Sequence, residues 1–92
     1  MTIIWTRAGK RWAGAAKTRH HTYQFTVEPS DCSLGQWQVA RTITVTATGA
    51  VVADGAIGSA ASVAACKRAA AWNLETGGPR LDAAIDAAKG DE

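Results

Sequence analysis

SAASVAACKRAAAWNLE, residues 59–75, decides the fold. It is the first segment with a sustained helical period, and everything before it reads as strand and turn. At 100° per residue, Val63, Cys66, Ala70 and Leu74 fall in a narrow arc, the stripe of a helix that lies on a sheet. Lys67 flanks that stripe, while Arg68 and Glu75 point away from it. Alanine, the best helix former, fills much of the rest. Gly58 and Ser59 mark a start, with Ser59 placed to cap the first turn. Gly77-Gly78-Pro79 marks a stop. Beyond it, Leu81, Ala84, Ile85 and Ala88 form a second apolar stripe and predict a short C-terminal helix over residues 80–89.

Trp72 lies off the first stripe, beside Ala61, Ala65 and Arg68. A large aromatic on a bed of small residues needs a cover. The near cover is the C-terminal segment folding back through Leu81 and Ile85, which is the expectation. The alternative cover is another protein.

Upstream, the pattern changes to strands. Residues 2–7 are rich in β-formers, and Ala8-Gly9 supplies a turn. A two-residue loop there pairs Arg7 with Lys10, Thr6 with Arg11 and Trp5 with Trp12. The competing reading makes residues 10–17 a short helix or a loop. Residues 22–28 alternate cleanly, with Tyr23, Phe25 and Val27 on one face. In residues 36–47, Trp37, Val39, Ile43, Val45 and Ala47 share a parity, and Arg41 falls among them. A bulge near Ala40–Thr42 is expected to turn Arg41 outward, unless the strand overhangs the sheet. Thr48-Gly49 is a turn and residues 50–57 are a last strand. The expectation is α+β: an antiparallel β-meander of four or five strands, one long helix packed on one face, and the short C-terminal helix. Residues 1–89 form a single domain and 90–92 a frayed tail.

Net charge is only +2, but its distribution is uneven. Arg7, Lys10, Arg11, Lys17, Arg19 and Arg41 outweigh Glu28 and Asp31 in the strand half, while the helical half is mildly acidic. No apolar run approaches the roughly 20 residues that span a membrane. No secretory signal is expected, since the chain opens on a strand-like pattern. The two cysteines, Cys32 and Cys66, make no disulfide framework and are expected as reduced thiols in the cytoplasm.

Two resemblances follow from these residues. Ile3-Ile4-Trp5-Thr6, Trp12 three residues after Gly9, Gly35-Gln36-Trp37 and Gly58-Ser59 before an Ala-rich helix resemble small uncharacterised proteins of actinobacteria and their phages. That resemblance covers nearly the whole chain and implies a small sheet-plus-helix domain, often phage-encoded, with no assigned activity. Separately, Gly55-Ala56-Ile57-Gly58-Ser59 followed by Ala69-Ala70-Ala71-Trp72-Asn73-Leu74 resembles the strand-to-helix end of double-stranded RNA-binding domains. That family grips phosphates with lysines at the helix start, where this chain has Ala60, Ala61, Ser62 and Val63, and its leading helix is missing here. What is shared is geometric: small residues let a helix drop closely onto a sheet.

Catalytic patterns are weak. His20 and His21 point to opposite faces if they sit on a strand, so one metal would not take both. They are expected as one exposed and one half-buried histidine. Neither cysteine stands at zinc-finger spacing, and no nucleophile motif accompanies the histidines. Asp54–Ser59 contains glycine but lacks the lysine and the βαβ context of a phosphate loop. An enzyme, a metal and a cofactor are therefore not expected. The leading expectation is a small non-enzymatic interaction protein of phage type. It would bind a host or phage protein and modulate it, anchored by Trp72 with Arg68, or by Trp12. One alternative is a nucleic-acid-binding accessory domain using Arg7, Lys10, Arg11, Lys17 and Arg19, read as a cluster at one end of the first strands. Another is an oligomer-building unit, such as a homodimer. The expected location is the cytoplasm, the host cell's if the protein is phage-encoded.

Overall fold

The structure, a computed structural model, describes residues 2–30 and 36–90. Five strands precede one helix: β1 (Ile4–Ala8), β2 (Arg11–Lys17), β3 (His21–Pro29), β4 (Trp37–Val45), β5 (Val51–Ala60) and α1 (Val63–Gly90). The strands form one antiparallel sheet in sequence order, so each pairs with the next and none crosses over. Helix α1 packs against β3, β4 and β5. The fold is thus the α+β meander with one covered face. Cys32 lies outside the described residues; Cys66 is a free, buried thiol.

Alternation in β3 places the core. Tyr23, Phe25 and Val27 face the helix and are buried, while Thr22, Gln24, Thr26 and Glu28 face away. Opposite them in β4 stand Ile43, Arg41 and Val39. From above, Cys66, Ala70 and Leu74 close the core, so the helical stripe does what its spacing predicts. Burial pushes the Cys66 thiol up from its ordinary value, with a backbone hydrogen bond from Ala60 opposing.

Four local expectations are corrected. First, no separate C-terminal helix exists among the described residues: α1 runs unbroken for 28 residues, with Pro79 inside it. Gly77 and Gly78 do not take the left-handed conformation of a helix stop. A proline inside a helix costs about 3 kcal/mol, so contacts beyond it must hold the helix together. Leu81 packs against the core, and Asp82 makes the hydrogen bonds described below. The glycines also have a use, because Gly77 passes over the Tyr23 hydroxyl, and a Cβ there would lie 3.6 Å from it.

Second, Ser59 lies in β5, not at the helix start. The cap is Ser62, whose hydroxyl oxygen accepts from the Ala65 amide at 3.1 Å. Third, the first hairpin turns at Gly9-Lys10, so Ala8 pairs with Arg11, Arg7 with Trp12 and Trp5 with Gly14. Gly9 takes φ +63° and Lys10 does not go positive, the pattern of a turn with glycine first. The Trp5–Trp12 pair is therefore not formed, and residues 10–17 are mostly strand. Instead the Trp5 ring lies over Gly14, where a Cβ would come within 2.7 Å of it.

Fourth, Arg41 is not turned outward. The β3–β4 ladder is regular along its length, and Arg41 sits directly opposite buried Phe25. The irregularities lie in β5, where Val52 and Ile57 each fall between paired residues. Facing Arg41 across that ladder is Gly55, whose φ of +136° is a backbone conformation that suits glycine. Among the described residues no helix is long and apolar enough to cross a membrane.

Candidate functional site

The two ends of the sheet treat charge in opposite ways. At one end the β2–β3 turn meets the far half of α1. There Asp82 accepts four hydrogen bonds: from the Thr18 hydroxyl (2.9 Å), the Arg19 amide (3.0 Å), the His20 amide (3.1 Å) and His21 Nδ1 (2.7 Å). One turn further on, Asp86 takes His20 Nε2 at 2.8 Å and the Arg19 guanidinium at 3.4 Å. The spacing explains the arrangement: two aspartates at i and i+4 share a helix face, and adjacent histidines split between them. His21 is 2% exposed and Asp82 13%, so this is a buried clasp. The expected one exposed and one half-buried histidine are in fact half-buried His20 and buried His21. Packing of α1 over the turn is the reason. Burial pushes the Asp82 carboxyl up, yet the hydrogen bonds from His21, Thr18, His20 and Arg19 outweigh it and hold the group below its ordinary value.

Tyr23 lies nearby, under the helix. Burial raises its phenol, the Asp82 charge adds to that, and Arg41 opposes. The Tyr23 hydroxyl and Arg41 Nε are buried without a hydrogen-bond partner among the described residues.

At the other end, where β1 turns into β2, Arg7, Lys10 and Lys67 have no carboxylate partner among the described residues, while Arg11 pairs with Glu28 on the open face. The Lys67 ammonium lies 3.5 Å from the centre of the Trp12 ring and 5.5 Å from that of Trp5. The Arg7 guanidinium lies 5.6 Å from the same Trp12 ring, held by its Nε donating to the Gly9 carbonyl at 3.0 Å. Arg7 and Lys10, with Pro29, Gln36 and Trp37, line a groove of about 410 Å³. The Cys66 thiol donates to the Trp37 carbonyl, which sets the start of α1 beside this end. That first helical turn carries no acidic residue.

This geometry divides the basic residues that the sequence reads as one cluster. Arg7 and Lys10 stay at the β1–β2 turn. Arg11 points to the open sheet face, where it pairs with Glu28 at 3.3 Å. Lys17 ends β2 on that same open face, about 20 Å from Arg11 by strand rise. Arg19 belongs to the clasp. The cluster splits because the strand between its members is seven residues long. Lys67, which replaces the lost members, was visible only as a residue flanking the stripe; which strands that flank faces is a tertiary fact.

Trp12 is half-buried, with Lys67 over its face. Trp72 differs: it is 68% exposed on the outer side of α1. Because α1 does not fold back, Leu81 and Ile85 continue the inward side and never reach it. The expected intramolecular cover is thus overturned. Trp72 instead lines a shallow groove with Thr76, Gly77 and Arg80, and Arg68 stands one turn before it on the same side.

Among the described residues no three His, Cys, Asp or Glu side chains come together as a metal-binding group. The fold and these ends define a small α+β domain with a buried polar clasp and an exposed helical tryptophan. No family model, no curated protein and no solved structure matches the chain.

Proposed function

We propose that this chain is a small non-enzymatic interaction domain that binds another protein through the outer side of α1. Trp72 is the anchor, and Arg68 and Arg80 flank it. The observation that carries this reading is the exposure of Trp72 on a helix whose other large apolar residues turn to the sheet. Leaving an indole in water is unfavourable unless a partner covers it, and Trp and Arg dominate the energetics of protein interfaces. The sequence resemblance to small actinophage proteins supports a phage-type role in which a host or phage protein is bound and modulated in the cytoplasm.

The test is affinity capture from an actinobacterial lysate with wild type, Trp72→Ala and Arg68→Ala. Trp72→Ala is expected to lose a specific partner while its thermal melt stays unchanged. An identical set of captured proteins with Trp72→Ala counts against the reading. A concentration-dependent dimer in sedimentation, abolished by Trp72→Ala, makes the partner a second copy and the protein an oligomer-building unit.

A further inference from the structure

The groove at the β1–β2 end has no place in the Trp72 reading. Of its lining residues, Arg7 shares the Trp12 indole with Lys67, which lies beside the groove and not in its lining. From their distances to the Trp12 ring centre, the Lys67 and Arg7 charges lie within about 9 Å of each other, comparable to the screening length in cellular salt. Lys10, exposed at the turn and lining the groove, adds a third. None of the three has an ion-pair partner among the described residues. By contrast, Arg11 pairs with Glu28 and Arg19 with Asp86, although Lys17 and Arg41 too have no ion pair among the described residues. The start of α1, beside this end through Trp37, adds the positive end of a 28-residue helix. Like charges held this close by rigid elements raise the energy of the free protein, and an anion between them relieves it.

We infer that this groove binds the carboxylates of an acidic peptide segment. Three features favour a peptide over a nucleic acid. The cations, from β1, its turn and the start of α1, gather at one end and do not track along the sheet as a phosphate backbone needs, since Lys17 and Arg19 lie at the far end. The Trp12 face is taken by Lys67, so no base stacks there. The remaining walls, Pro29, Gln36 and Trp37, offer apolar surface and an amide, which suit the stems of acidic side chains beside their charges. Arg7 is already oriented to receive a carboxylate. Its Nε is spent on Gly9, and its two terminal nitrogens are left to fork onto the anion.

The experiment is a titration of the whole chain with a hexaglutamate peptide, followed by the indole N–H signals of Trp12 and Trp37. Binding is expected at low salt and should weaken at least about tenfold between about 50 and about 500 mM salt. Lys10→Gln, which removes a charge that no carboxylate of the described residues pairs, is expected to weaken it several-fold with an unchanged melt. Lys67→Gln and Arg7→Gln should weaken it further. Lys17→Gln and Trp72→Ala should leave it as in wild type, so this inference stands or falls apart from the Trp72 reading. No binding at low salt overturns it, as does an equal loss in Lys17→Gln or Trp72→Ala. Tighter binding of a thymidine oligonucleotide than of hexaglutamate at the same salt overturns the assignment to a peptide.

Discussion

Asp82 and Lys67 are both partly buried on the same helix, and their surroundings differ in kind. Asp82 ends in a complete set of partners: one carboxylate, four donors, two of them backbone amides of a single turn. Lys67 ends over an indole, with another cation on the same ring and no ion-pair partner among the described residues. A satisfied buried network specifies structure. A cluster of like charges costs stability, and an anion placed among them relieves that cost. The clasp end is therefore architecture, and the cationic end is the one proposed above for recognition.

The largest expected effect breaks the clasp. Asp82→Ala removes the acceptor for four donors and leaves the buried His21 ring unpaired. It should lower stability by about 3 kcal/mol in urea unfolding, and a loss under about 1 kcal/mol would reduce the clasp to a surface contact. The same group sets an acid limb. Because folding holds the Asp82 carboxyl below its ordinary value, its contribution is fully present above that ordinary value and is lost as pH falls through the lower folded one. Asp82→Asn should flatten that part of the stability–pH curve.

Next comes Pro79. If the clasp and Leu81 hold α1 together against a misplaced proline, Pro79→Ala should raise stability by roughly 2 kcal/mol. A neutral or negative change in the melt would restore a break at that point. At the cationic end the effects are smaller. Lys67→Ala should cost about 1 kcal/mol, from the indole contact and the packing of its stem. Smallest is Lys10→Gln, expected within about 0.5 kcal/mol of wild type. If Lys10→Gln were as damaging as Asp82→Ala, the two ends would not differ in kind.

Much of the sheet was legible because period-two alternation reports burial directly. Tyr23, Phe25 and Val27 show it in β3, and Cys66, Ala70 and Leu74 show the helical equivalent. What misled were local signals that distant contacts outvote. Gly77-Gly78-Pro79 reads as a stop, yet the contacts of Leu81 and Asp82 lie beyond it. Ala8-Gly9 reads as the turn, but a two-residue shift lets Trp5 cover Gly14, and the shift preserves which residues share a face. Arg41 reads as misplaced in a core strand, yet the regular β3–β4 ladder holds it directly opposite buried Phe25.

By itself the sequence determined the class: an antiparallel meander crossed by one amphipathic helix, because residue periodicity is a local property that burial obeys. Only the tertiary structure decided that residues 59–75 do not stand alone. Two hydrogen-bonding aspartates past the proline extend that helix to Gly90, and this extension uncovers Trp72. It also decided which cations meet, since Lys67 and Arg7 are 60 positions apart and no spacing rule joins them. The reason is the same in both cases: side-chain partners from distant segments outweigh the roughly 1–3 kcal/mol carried by any local signal.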